Sequence, residues 1–295
     1  MNNPILAFSA RRRMRSVRTP LLLTLYALLM SVLACVVYWP IAGAAMRPSA
    51  MTGGVTGYAM MVAVQFVLIV LVAPAMTAGS LSGERERQTL DLLLVTDTGT
   101  GSIVLGKLLE SFGFLALMAL CSLPAMSLVL LTGGSTLVQV LTSMLFLLLL
   151  ALEAECIGLY CSALFKRTVT ATVVSYLAVF GIGLLTLLPI FYDVKRIGDI
   201  YDSLNIAGQP PVVEIPYVPI AFTLNPGLGL FSLLCEQLDM FRGNLWSVSY
   251  TLANTLDLVR YDLYLIYNMV CMGAVSALLT GLSALHMRRL ARRKA

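Results

Sequence analysis

Five stretches of the chain stay apolar over about 20 residues, the length a helix needs to cross a bilayer: residues about 20–42, 56–78, 108–132, 168–190 and 263–286. A sixth, about 137–165, has the length but carries Glu153 and Glu155. A carboxylate at mid-span costs about 2.5–3.5 kcal/mol, and each Leu or Phe returns about 0.3–0.6 kcal/mol. The seven Leu and Phe residues within Leu145–Leu152 therefore offset roughly one glutamate. The other is accommodated if it faces protein or water. The pattern predicts an all-α membrane protein with six spans.

Two weaker patterns lie outside these spans. In residues 1–19, Leu6, Ala10, Met14 and Val17 fall on one helical stripe, while Arg11, Arg12, Arg15 and Arg18 point away from it. Such a segment reads as an amphipathic interfacial helix with its arginines near lipid phosphates. The alternative is a solvated basic tail. Residues 216–236 are apolar but interrupted by Asn225-Pro226. They read as a re-entrant or interfacial helix before the last span, with Asn225 as N-cap and Pro226 at the first helical position.

Composition agrees with lipid as the main solvent. The 295 residues are 59% hydrophobic and 12% charged, with a mean hydropathy of +0.87. A soluble domain carries about 25% charged residues. No stretch resembles an independent soluble domain. The apolar run from Leu21 to Trp39 exceeds the core of a signal peptide, about 7–15 residues, so it is expected to be retained as a span.

The position of Lys and Arg sets the expected orientation. With the N-terminus in the cytoplasm, fifteen of the twenty basic residues fall inside. Only Arg47, Lys195, Arg196, Arg242 and Arg260 fall outside. Both termini are therefore expected inside. The net charge of +5 reads as membrane orientation, with no nucleic-acid partner. Residues 191–262 form the largest segment between spans, with eight acids against four bases, and are expected outside. Tyr38, Trp39, Trp246, Tyr250, Tyr261 and Tyr264 suit the outer headgroup belt.

Catalytic signatures are sparse. The six cysteines form no CxxC, and His286 is the single histidine, so neither a metal site nor a His-centred catalytic group is expected. Gly101–Leu108 matches GxxxxGK, but Leu108 stands where a phosphate loop needs Ser or Thr to hold magnesium. If the protein consumes ATP, another subunit binds it. Glu153 and Glu155 sit two residues apart and point about 200° apart on a helix. Intramembrane carboxylates are functional candidates by default, although such residues also serve as hydrogen-bonding groups between helices. Pro74 and Pro124 are expected to kink spans two and three.

The densest polar pattern is Ser82–Thr96, SGERERQTLDLLLVT, between spans two and three. Glu84, Arg85, Glu86 and Arg87 mark where helix two leaves lipid. Leu90, Leu93 and Leu94 then recur at i, i+3 and i+4, with Asp91 on another side. Such a stripe must be buried against something, either a partner surface or its own helices.

The stretch Ser82–Lys107, SGERERQTLDLLLVTDTGTGSIVLGK, resembles the cytoplasmic loop of ABC-2 type permeases, the membrane subunits of a class of ATP-driven transporters. The family pattern is a Gly-Glu-basic-Glu-basic run, then Thr-Leu-acidic-Leu-Leu-Leu, then Gly-Lys opening span three. Its elements match Gly83–Arg87, Thr89–Leu94 and Gly106-Lys107. The chain departs at Thr96–Gly101, where the family often has Pro and basic residues, so this end is expected to be more flexible.

The resemblance implies a permease that pairs with a second permease chain, identical or sister, and with two cytoplasmic ATPase subunits. Those subunits would hold ATP and Mg, and this chain would hold no cofactor and be no enzyme by itself. It implies that Leu90, Asp91, Leu93 and Leu94 form the ATPase-coupling face. Glu84, Arg85, Glu86 and Arg87 would form the joint that transmits ATPase closure into helices two and three. The expected location is a prokaryotic cytoplasmic membrane, and the expected direction is export. Two other functions remain open: a proton-coupled secondary transporter using Glu153 or Glu155, and a non-transporting scaffold that recruits a cytoplasmic partner.

Overall fold

The computed structural model describes residues 18–42, 49–90, 99–131, 135–188, 223–238 and 261–292. The regular elements among them are helices: α1 (Arg18–Ala42), α2 (Ser49–Ala78), α3 (Ser82–Glu86), α4 (Thr100–Cys121), α5 (Leu123–Leu131), α6 (Leu137–Leu164), α7 (Thr168–Leu185), α8 (Pro226–Leu238) and α9 (Tyr261–Arg292). Six stretches are long and apolar enough to cross a bilayer: Thr19–Trp39, Gly54–Glu86, Thr100–Leu128, Leu137–Leu164, Thr168–Leu185 and Leu265–Arg292. By length and composition the chain is a multi-pass membrane protein.

The expected spans thus reappear, with shifted ends. Span two continues through a turn into α3, to Glu86 rather than about 78. Helix α4 begins at Thr100, eight residues before the apolar run at about 108, with Gly99 as its N-cap. Hydropathy marks where side chains become apolar. It is blind to a helix that starts among Gly, Ser and Thr outside the apolar run. The interfacial reading of residues 1–19, including Arg11, Arg12 and Arg15, lies outside the described residues, whereas Arg18 opens α1.

The chain divides into two compact units, Met1–Val179 with Gly273–Ala295, and Phe180–Met272. The first is organised around α2 and α6, which share its most extensive packing. Lipid gives no hydrophobic drive for two apolar helices to associate, so close backbone approach through small residues does the work. Gly158 of α6 is such a residue. A Cβ there would overlap Thr77 Oγ1 and meet the Pro74 carbonyl oxygen and Cα at 3.2 and 3.3 Å. Toward the other end of the pair, Tyr58 of α2 donates to the Gln139 carbonyl of α6 at 3.0 Å and lies 2.6 Å from Ser143 Oγ.

Helix α1 meets α2 at Gly57, where a Cβ would stand 2.6 Å from Val37 Cγ1 and 2.9 Å from the Tyr38 hydroxyl. Tyr38 is therefore buried, while its neighbour Trp39 is 81% exposed, so only the latter presents its ring as a headgroup-belt residue would. Span three breaks at Ser122, between α4 and α5, where Pro124 lacks the N–H to continue the ladder. Gln65 Nε2 of α2 donates to Ser122 Oγ at that break, 3.0 Å away. Pro74, by contrast, stays inside a continuous α2.

In the second unit, Asn225 caps α8 as its sequence position suggests. Its Oδ1 accepts from Gly227 N at 2.8 Å and Leu228 N at 3.2 Å, with Pro226 at the first helical position. Its Nδ2 donates to the Gly183 carbonyl and to Thr186 Oγ1. Asn268 Nδ2 donates to the carbonyls of Thr223 and Asn225. One turn is thereby tied to α7 and α9 by side-chain amides.

Candidate functional site

After α2 the chain turns at Gly79–Leu81 and winds the short helix α3, Ser82–Glu86. Four charged residues follow one another here, and three of them face different helices of the first unit. The start of α3 has no side-chain cap of its own at Leu81. Its backbone donors are met from α6 instead: Ser162 Oγ accepts from Leu81 N and Ser82 N, each at 2.9 Å. Sequence reasoning missed Ser162, because a serine in a span carries no signal of which backbone it serves.

Glu84 Oε1 pairs with Lys107 Nζ of α4 at 2.8 Å, with both side chains about one-fifth exposed. Its second oxygen, Oε2, is buried and has no hydrogen-bond partner among the described residues. Arg85 reaches α9, where its Nη2 stands 3.8 Å from Met287 Sδ. Glu86 reaches α7: Oε1 accepts from Thr168 N at 3.0 Å, and Oε2 accepts from Thr168 Oγ1 at 2.9 Å. Gly83 lies against the same residue, since a Cβ on it would meet Thr168 Cγ2 at 3.4 Å. Arg87 is exposed.

The chain reverses at Gln88, whose φ of 57° is in the left-handed region. A non-glycine residue adopts it rarely. Here Thr89 N is held on the Glu84 carbonyl at 2.9 Å just beyond the reversal. The reversal delivers Leu90 onto helix ends of its own chain. Leu90 is 5% exposed and belongs to a cluster with Leu81, Val104, Leu108, Cys156, Leu159, Ala163 and Met287. Of the two ways to bury the leucine stripe, Leu90 takes packing against its own helices. Asp91, Leu93 and Leu94 lie outside the described residues.

The four-residue charged run is therefore a hub. It contacts α4 through Glu84, α7 through Glu86 and α9 through Arg85, and the turn just before it, Leu81-Ser82, contacts α6. The sequence linked it only to spans two and three. One signal for the α7 contact was present: Lys166-Arg167 precede Thr168, and neither side chain can accept a hydrogen bond, so a side-chain acceptor for this helix start had to come from elsewhere or be replaced by water.

The GxxxxGK match falls inside α4, and its lysine is the partner of Glu84. The run is helical rather than a loop that could wrap a phosphate. Glu153 and Glu155 are both buried on α6, 5% and 0% exposed, and Glu153 Oε2 has no hydrogen-bond partner among the described residues. They occupy different faces of the helix, as two-residue spacing requires. Among the described residues no three His, Cys, Asp or Glu side chains group as metal ligands. Comparison with protein-family models and with curated proteins finds no match.

Proposed function

We propose that the chain is the transmembrane subunit of an ABC-2 type, ATP-driven transporter. The supporting observation is the join between the Ser82–Lys107 motif and the helices: the charged run Glu84–Arg87 is bonded to α4, α7 and α9 through Glu84, Glu86 and Arg85, and the Leu81-Ser82 turn just before it is bonded to Ser162 of α6. A push on this one short segment is delivered to several spans at once, as a coupling element requires. The loop faces the cytoplasm in this reading, with both termini inside.

Two ATPase subunits, which bind ATP and Mg, dock on the loop, and a second permease chain completes the pathway. Asp91, Leu93 and Leu94 form the docking surface. Leu90 anchors it to the membrane helices from beneath. ATP-driven closure of the ATPase pair then shifts the paired permeases between two states, and substrate leaves outward along their seam.

The test is co-purification. Leu93→Asp and Leu94→Asp, expressed with the native partner chains, should release the ATPase while the permease still inserts. Leu90→Asp is a poor probe, because it would place a carboxylate in the apolar cluster of its own chain. Undiminished co-purification of a nucleotide-binding chain with the double variant refutes the docking assignment. A second reading is favoured by Glu153, whose unpartnered buried carboxyl oxygen suits a proton carrier. Transport that a protonophore abolishes and ATP depletion leaves intact would select it.

A further inference from the structure

Helix α7 begins without a cap of its own. Its N-cap position is Arg167, whose carbonyl accepts from Ala171 N at 3.0 Å. The Arg167 side chain has only donors, as has that of Lys166 before it. The first amide of α7, Thr168 N, is met by Glu86, 82 positions earlier, and the same carboxylate holds the Thr168 hydroxyl. Gly83, one turn before Glu86, has no side chain to hold α3 away from Thr168. On the other side of α3, Glu84 is held by Lys107 of α4. The first turn of span five is thus set by a residue that belongs to the loop joint, and that joint is itself clamped to span three.

We propose that Glu86 is a positioning residue that carries displacement of the 82–90 segment into span five. Its carboxylate is both the missing cap of α7 and the link that obliges the start of α7 to follow α3. A local cap would make the helix start equally well but leave it deaf to the loop. The idea rests on the proposed function only in naming an ATPase as the source of the displacement; the link itself belongs to this chain.

Hydrogen exchange at Thr168–Thr172, read in the full-length chain in lipid nanodiscs, separates a cap from a link. Glu86→Ala should speed exchange there about 2- to 30-fold, the range for loss of a helix cap. Adding Arg167→Asn supplies a local cap and should restore the slow exchange. Lys107→Gln frees Glu84 and loosens α3. It should speed exchange at 168–172 in the otherwise native chain and have no effect there in the Glu86→Ala/Arg167→Asn background. Glu84→Gln releases the same ion pair from the other side and must give the same pattern.

If Lys107→Gln and Glu84→Gln leave 168–172 unchanged in the native background, Glu86 is a cap and nothing more, and the inference falls. It falls equally if they act alike in both backgrounds, or if Glu86→Ala changes nothing. The outcome is independent of the transporter reading. An intact cycle with no ATPase co-purifying overturns that reading alone, whereas an ATPase that co-purifies with a failed cycle overturns this one alone.

Discussion

Replacing Gly158 by Ala should loosen the α2–α6 pair in a way that a second substitution repairs. The added Cβ would overlap Thr77 Oγ1 and press on the Pro74 carbonyl oxygen and Cα at 3.2 and 3.3 Å. Thr77 cannot simply swing away, because a β-branched residue that turns its hydroxyl out brings other atoms of its side chain round, and Oγ1 is bonded to the Ala73 carbonyl at 3.2 Å. The Pro74 backbone has still less freedom, since α2 is also held at Tyr58 and Gln65. Overpacking of this kind costs about 1–3 kcal/mol. Helix propensity returns at most about 1 kcal/mol on Gly→Ala.

The net expectation for Gly158→Ala is thus a loss of about 1–2 kcal/mol. Thr77→Ala removes the overlapping Oγ1, leaving only the tighter-than-usual Pro74 contacts for helix propensity to offset, and costs little by itself, because a Thr hydroxyl bonded back to the i−4 carbonyl contributes little to its helix. The double variant should lie within about 0.5 kcal/mol of Thr77→Ala, a coupling of about 1–2 kcal/mol between contacting residues. Equilibrium unfolding by SDS in mixed micelles measures all four corners of the cycle. A neutral Gly158→Ala, or a double variant no better than the sum of the singles, would refute the close crossing.

Three further outcomes follow from the polar contacts. Asn225→Ala removes the α8 cap and both Nδ2 bonds and should destabilise by more than the 0.5–2 kcal/mol (roughly) of a cap alone, while Asn225→Asp should keep the cap and lose only the donated bonds; thermal unfolding of the purified chain compares them. Tyr58→Phe should cost about 1 kcal/mol through the bonds lost at Gln139 and Ser143, measured by the same SDS titration. Lys107→Ala should cost about 1–3 kcal/mol by leaving Glu84 half-buried without its partner, and Glu84→Gln/Lys107→Gln should recover most of it; a double variant as unstable as the single would refute the ion-pair account.

The fold was legible because lipid imposes a length on every span, and six apolar stretches of that length cannot be read many other ways. Asn225-Pro226 was legible for a local reason: both the cap and the first helical residue act within three positions. Boundaries were less so, as α4 shows by starting at Thr100 with Thr, Gly and Ser, ahead of the long apolar run. The joint was half legible. Its charges stood out between spans two and three, but the contacts of Glu86 with Thr168 and of Ser162 with Leu81 and Ser82 join positions some 80 residues apart. No periodicity encodes such pairs. Leu90 shows the same limit, since a helical stripe states that a face must be covered and leaves open what covers it.

The starts of the fourth and fifth spans are made by different kinds of instruction. Helix α6 opens with a reciprocal capping box, Thr136 with Gln139, so its starting residue is written into four consecutive codons. The start of α7 is written at position 86. During synthesis, α6 can define its own first turn as it leaves the ribosome, whereas α7 completes its first turn only where the earlier hairpin of spans two and three already stands. A chain assembled from separately expressed halves, split between α6 and α7, would carry the acceptor on one piece and the helix on the other, and its fifth span would acquire a fixed beginning only upon reassembly.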